Sequence, residues 1–222
     1  MKEAQLTAAR IVTDVIKGKN LNKVFQKYSQ ENKINPKDIS QIKDLVFGTL
    51  RSYGKTKFVI NKLVKRTPTN SLILTLLHIA LFQLIYNRSS EYTVVDQAVS
   101  ASNMINKRHT KFINGVLRTF LREKESILKK AEKIEEVKYS YPIWWINLIK
   151  KEYPKSWSNI LDLGNSHPPL IIRVNIKKGG VSKYIKKLEK LNIKHQYLGI
   201  EAILIKKPMP IDSLPGFKEG EV

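Results

Sequence analysis

The sequence contains no cysteine. That absence excludes disulfides, thiolate metal sites and any covalent mechanism that relies on a cysteine nucleophile. Histidine is nearly as scarce: His78, His109, His167 and His195 stand at spacings that match no zinc-ligand pattern, so no metal is expected. Long apolar runs are missing too. A membrane span needs about 18 such residues, and the longest candidate, Leu72 to Tyr86, is interrupted by His78 and Gln83. The opening MKEAQLTAARIV carries an acidic residue and helical periodicity instead of the charged-then-apolar order of an export signal. A cytoplasmic protein is therefore expected. Acidic residues are few, 19 against 40 basic ones, which gives a formal charge of +21. A field of that size favours a polyanionic partner such as nucleic acid; a lysine-rich composition bias is the bland alternative.

What remains is a chain of 222 residues, 42% hydrophobic, long enough for one or two domains with a buried core. The first part reads as successive helices. Leu6, Ala9, Ile11, Val12, Val15 and Ile16 recur at helical spacing up to a stop at Gly18. Asn20 caps a second helix, and Asn35-Pro36-Lys37-Asp38 is a start signal for a third, with proline at its first position. Further helices are expected over about 57–64, 72–86, 94–105 and 112–128. The 72–84 stretch is apolar on nearly all sides and so belongs at the centre of a bundle, where His78 is a packed core residue rather than a catalyst.

After Val137 the texture changes. Tyr141-Pro142 opens a helix carrying Trp144 and Trp145, of which one should be core and the other pack between domains. SWSNILDLG then reads as a short helix closed by Gly164. A strand-like run over Leu170–Asn175, a basic amphipathic helix over Val181–Leu191 and strands near 195–198 and 202–205 complete a small α+β unit. The lysines of YIKKLEKL fall on a solvated face. The LDLG at 161–164 matches the start of a methyltransferase cofactor turn. The turn needs a second glycine, however, and here Asn-Ser-His-Pro-Pro follows. Gly164 is read as a helix stop, and no cofactor site is expected in this chain.

FGTLRSYG at 47–54, YTVVDQAVSASNMI at 92–105 and KFINGVLRTFLR at 111–122 resemble the helical domain shared by the antitermination factor NusB and the RsmB (Sun, Fmu) ribosomal RNA cytosine-C5 methyltransferases. YSYPIWWINLIKKEYP, HPPLIIRVN and SLPGFKEGEV resemble the linker and small second domain of the methyltransferase branch. The resemblance covers essentially the whole chain. It implies a mainly α fold: a NusB-like bundle over 1–135, then linker helices and a small α+β domain over 136–222. It also implies the RNA-binding amino-terminal region of an enzyme that uses S-adenosylmethionine and a cysteine thiolate to methylate small-subunit (16S) ribosomal RNA. With no cysteine, this chain alone is expected to be inactive, and a monomer. The alternatives are a free-standing NusB-like antitermination factor and, last, a basic scaffold protein.

RNA-binding candidates follow from charge and position. Lys107, Arg108, Lys111, Arg118 and Arg122 form the densest arginine-containing cluster, with Arg118 and Arg122 four apart on one helix face. Arg51 and Arg10 come next. Arg51 and Arg118 have a competing role as braces of the bundle, hydrogen-bonded to carbonyls or to carboxylates such as Asp96. In the second unit Arg173 and Asn175 project from one strand face beside Lys177 and Lys178, to touch RNA or to brace a domain junction. Gly115, inside a helical pattern, is expected to permit a close helix contact.

Overall fold

The computed structural model describes residues 2–31, 36–166 and 168–222. Asn35 of the third helix's start signal and His167 lie outside the described residues. The chain forms two compact units, Met1–Asn165 and Ser166–Val222. The linker helices, assigned from sequence to the second domain by the division at 135, therefore pack with the bundle.

The first unit holds α1 (Lys2–Ile16), α2 (Leu21–Glu31), α3 (Pro36–Arg51), α4 (Tyr53–Leu63), α5 (Ser71–Ile85), α6 (Glu91–Ile105), α7 (Thr110–Ala131), α8 (Glu135–Tyr139), α9 (Ile143–Glu152) and α10 (Trp157–Asn165). The ends follow local chemistry. Gly18 takes φ +91 after α1, and Asn20 Oδ1 accepts the amide of Lys23 at 3.2 Å. Asn70 Oδ1 accepts the amides of Leu72 and Ile73, which satisfies two orphan donors at the start of α5.

α5 lies at the centre, as its composition requires. On one side Leu76, Ile79 and Phe82 meet α1 and α3 through Ile11, Val12, Leu45 and Val46. On the other, Ile73, Leu77, Leu81 and Leu84 meet α4, α6 and α7 through Val59, Val94, Ile113 and Phe120. Two buried polar ties set the register of α1 against α5: Gln5 Nε2 donates to Gln83 Oε1 at 2.6 Å, and Thr13 meets Thr75 at 2.9 Å. His78 is a core residue, as expected. It is 2% exposed, shares a 2.7 Å hydrogen bond with Thr56 Oγ1 and stacks on Tyr53 at 4.6 Å.

The FGTLRSYG segment owes both glycines to close approach. A Cβ on Gly48 would lie 2.0 Å from the Phe82 ring, and one on Gly54 would lie 3.2 Å from the Glu136 carbonyl and 3.3 Å from Ser140 Cα. Helix α10 ends at Gly164-Asn165, as read from the sequence, with Gly164 as its penultimate residue, and the missing side chain there makes room for the Tyr141 hydroxyl, 2.5 Å from where a Cβ would sit. Of the tryptophans, Trp145 joins Tyr139, Ile146, Ile149 and Leu161 in a small cluster, whereas Trp144 is 65% exposed.

The second unit is a three-stranded antiparallel sheet with one helix. Strand β3 (Ala202–Ile205) lies between β1 (Leu170–Arg173) and β2 (His195–Gly199), with Ile172 opposite Ile203 and Leu170 opposite Ile205. α11 (Gly180–Lys190) covers the face carrying Ile172, Ile203 and Ile205 with Tyr184 and Leu188. The Tyr184 hydroxyl donates to the Pro215 carbonyl, and burial followed by the Glu221 charge pushes its pKa up to about 12. No helix among the described residues is long and apolar enough to cross a membrane.

Two predictions follow from this packing. Gly48→Ala forces the Phe82 ring to move and should cost roughly 1–3 kcal/mol, read by denaturant melts. Burial, then Lys57, lowers the His78 pKa from 6.5 to about 4. The unfolded chain therefore binds a proton that the folded one refuses, and stability should drop by about 3 kcal/mol as pH falls from 6.5 to 4. His78→Gln should flatten that part of the stability profile.

Candidate nucleic-acid interface

The longest helix, α7, has 22 residues and buries Ile113, Val116, Leu117, Phe120 and Ile127 against the bundle. That fixes which face it turns outward. Lys111, Gly115, Arg118 and Arg122 recur at four, three and four residues, and all are exposed, so they form one stripe along the helix. Immediately before it, Asn106 Oδ1 accepts the amide of Arg108 at 3.0 Å and holds a short 3₁₀ turn, Lys107–His109, with Lys107 and Arg108 exposed. The positive end of the α7 dipole thus adds to two cations.

The two arginines of the stripe are held by neutral neighbours. Arg118 Nε donates to Asn114 Oδ1 at 3.0 Å, and an Arg122 guanidinium nitrogen donates to Thr119 Oγ1 at 3.1 Å. Among the described residues neither arginine forms an ion pair, nor do Lys107, Arg108 and Lys111. The Arg118 partner Asn114 stands on its own helix, so that bond does not brace the bundle, and Asp96 lines the same recess without bonding Arg118 among the described residues. That recess, about 380 Å³ between α6 and α7, also carries Tyr92, 81% exposed. On the other flank a groove of about 370 Å³ brings Lys65 and Arg66, after α4, beside Lys111. Sequence reasoning missed Lys65 and Arg66 because no periodicity marks a loop that folds back against a distant helix.

Gly115 requires a correction. A Cβ there would meet nothing within 4 Å, so the glycine serves no close helix contact; it lies open on the wall of this groove.

The remaining candidates are dispersed. Arg10 is exposed on α1 and lines neither groove. Arg51 is exposed at the end of α3 and lines a different recess, of about 280 Å³, with Lys55, Arg88 and Lys138. In the second unit, Arg173 and Asn175 alternate with buried Ile172 and Val174 as their spacing requires. Arg173, itself exposed, pairs with the half-buried Glu201 at 2.5 Å. Asn175 spends its side chain on the fold: Oδ1 accepts the Lys177 amide at 3.1 Å and Nδ2 donates to the Gly220 carbonyl at 2.9 Å. Lys177 and Lys178 stay exposed without a carboxylate partner among the described residues. On α11, Lys187 pairs with Glu221 at 2.7 Å.

The LDLG stretch does not fit a cofactor turn. It is the last part of helix α10, with no strand before it and with Gly164 against a tyrosine hydroxyl. Among the described residues no group of three or more His, Asp or Glu side chains converges as a metal site.

A helical bundle is followed by a small sheet with one covering helix, and exposed cations stand on both. Residues 2–122 match the model of the NusB family, and residues 141–212 match that of the RsmF/B-like methyltransferase ferredoxin-like domain. The chain belongs to the NusB family through its bundle, and with its second domain it matches the amino-terminal portion of the RsmB/Sun family. It is 37% identical to a probable ribosomal RNA small subunit methyltransferase B of Coxiella burnetii, over 84% of this chain and 44% of the relative. It is 30% identical to ribosomal RNA small subunit methyltransferase B of Shigella boydii and of Escherichia coli, over 97% of this chain and 51% of each relative. The chain thus spans about half the length of the relatives it matches. A crystal structure of PH0851 shares the fold at a TM-score of 0.57 and 16% identity, covering all of this chain and 52% of the other.

Because Gly115 is helical and unconfined, Gly115→Ala should stabilise the first unit by about 1 kcal/mol. The melting midpoint is then expected to rise by roughly 2–4 °C.

Proposed function

We propose that this chain is the RNA-holding amino-terminal region of an S-adenosylmethionine-dependent ribosomal RNA (cytosine-C5) methyltransferase, acting in the cytoplasm on small-subunit RNA. The observation that carries this reading is the order of domains, a NusB bundle followed by an RsmF/B-like ferredoxin domain, in a chain of which 84–97% matches relatives named small subunit methyltransferase B. A free-standing antitermination factor has no use for the second domain, so the methyltransferase reading is preferred.

In this reading the α7 stripe tracks the phosphate backbone. Lys107, Arg108, Lys111, Arg118 and Arg122, joined by Lys65 and Arg66, supply charge that displaces counterions from the RNA. Lys177 and Lys178 add contacts from the second unit, and Asn175 acts as a brace. Helices cannot read the deep, narrow major groove of A-form RNA, so recognition works through shape and through unpaired bases, for which Tyr92 is a stacking platform. Methylation at C5 by thiolate attack needs a cysteine. These 222 residues have none, and they bind and position without transferring a methyl group, as a monomer.

Titrating the chain with a small-subunit ribosomal RNA fragment and an unrelated duplex across a salt series tests this. Preference for the ribosomal fragment with a steep salt slope is expected; equal affinity for both would remove recognition from these domains. Arg118→Glu with Arg122→Glu should weaken binding and make the slope shallower by about one per lost phosphate contact, with the helical circular dichroism unchanged.

A further inference from the structure

The recess that holds Arg51 is distinct from the α7 stripe and is built from many pieces of chain. Arg51 ends α3, Lys55 lies on α4, Arg88 follows α5, Lys138 lies on α8, and Asp162 and Asn165 come from α10. Four cations therefore face one carboxylate around about 280 Å³. Two of them have carboxylate partners that do not line the recess: Lys55 with Glu132 at 2.9 Å and Arg88 with Asp44 at 3.8 Å. Arg51 has none among the described residues.

The other walls suit a nucleotide better than a bare ion. Tyr86, 43% exposed, lines the recess beside Phe82, their ring centroids 5.3 Å apart, and the Arg88 guanidinium stands 5.8 Å from the Phe82 ring. Ser140 also lines the recess and holds a left-handed φ of 54°. That conformation is uncommon for a non-glycine residue, and Gly54 of α4 packs close to the Ser140 Cα. Residues 123–140, which supply Lys138 and Ser140, fall between the two family matches, so the recess depends on the linker as well as on the bundle.

We infer that this recess is a nucleotide-phosphate site: Arg51, Arg88 and Lys138 hold one phosphate with its sugar, and the base lies on Tyr86. The volume is below that usual for a drug-sized ligand, which limits the site to about one nucleotide. The inference rests on the RNA-binding reading for its source, a nucleotide within a single-stranded segment of RNA; a free mononucleotide has the same chemistry.

The test uses the 222-residue chain, a labelled single-stranded oligoribonucleotide and adenosine monophosphate. Arg51→Gln/Arg88→Gln is compared with Lys206→Gln/Lys207→Gln, an equal charge change on exposed residues of the second unit. The recess pair is expected to weaken oligonucleotide binding and to make the log–log salt slope shallower by about 1.4, or 0.7 per lost contact on a single strand, well beyond the control pair. Adenosine monophosphate should shift the amide resonances of Ser140 and Asn165 in the unmodified chain. Equal effects of the two pairs, or a wild-type slope in the recess pair while Arg118→Glu/Arg122→Glu loses binding, would overturn the site and leave the RNA reading standing. Saturable shifts with the mononucleotide but no oligonucleotide binding would keep the site and sink the RNA reading. If the arginine pair melts early, Lys138→Gln, at an exposed residue, carries the same test with a change of about 0.7.

Discussion

A helix that is apolar on nearly every side has to be enclosed, and α5 imposes that condition on the first unit. Eleven of its fifteen residues are buried. Its neighbours α1, α3, α4, α6 and α7 must each turn an apolar face toward it, which leaves their opposite faces to carry the charge of the chain. The buried polar residues of α5 are spent inward: Thr75 and Gln83 tie α1, and His78 meets Thr56 of α4. Enclosure thus leaves the basic residues of these helices to the exterior.

The exterior cations differ in how they are held. On α7 the guanidinium groups rest on an amide and a hydroxyl, which restrict their rotamers without neutralising them. An anion bound there would immobilise less side-chain freedom than one bound by an unrestrained arginine. On the second unit, by contrast, Arg173 and Lys187 are paired with Glu201 and Glu221, so part of the local charge is already spent within the fold.

Much of this was legible in the sequence, where a single physical signal was decisive. Apolar runs at helical spacing marked α1 and α5 to α7 to within a few residues, Gly18 marked a stop, and Asn20 marked a cap. Alternation of Ile172 and Val174 with Arg173 and Asn175 gave the faces of β1. What escaped depends on distant parts of the chain meeting. Nothing local tells that Gly48 faces Phe82, that Gly164 faces Tyr141, or that Gly115 faces nothing. α8 is five residues long, too short to show a period. Of the exposed basic residues, the α7 stripe could be read because it lies on one helix. Lys65 and Arg66 could not, since a fold in the chain brings them there. The role of Asn175 as a cap and tie was hidden for the same reason: its partner carbonyl belongs to Gly220.

That tie has a consequence for how the second domain is delimited. The ferredoxin-like match ends at residue 212, yet Leu214 is in the core and Pro215 accepts the Tyr184 hydroxyl. Further on, Glu221 bonds Asn175 through its carbonyl and Lys187 through its carboxylate, curled back over Gly216 at φ +81. A fragment cut after residue 212 would leave a phenol, an amide and an ammonium without their partners at once. The working unit for expression, labelling or crystallisation therefore includes residues 213–222, which act as a clasp on the domain.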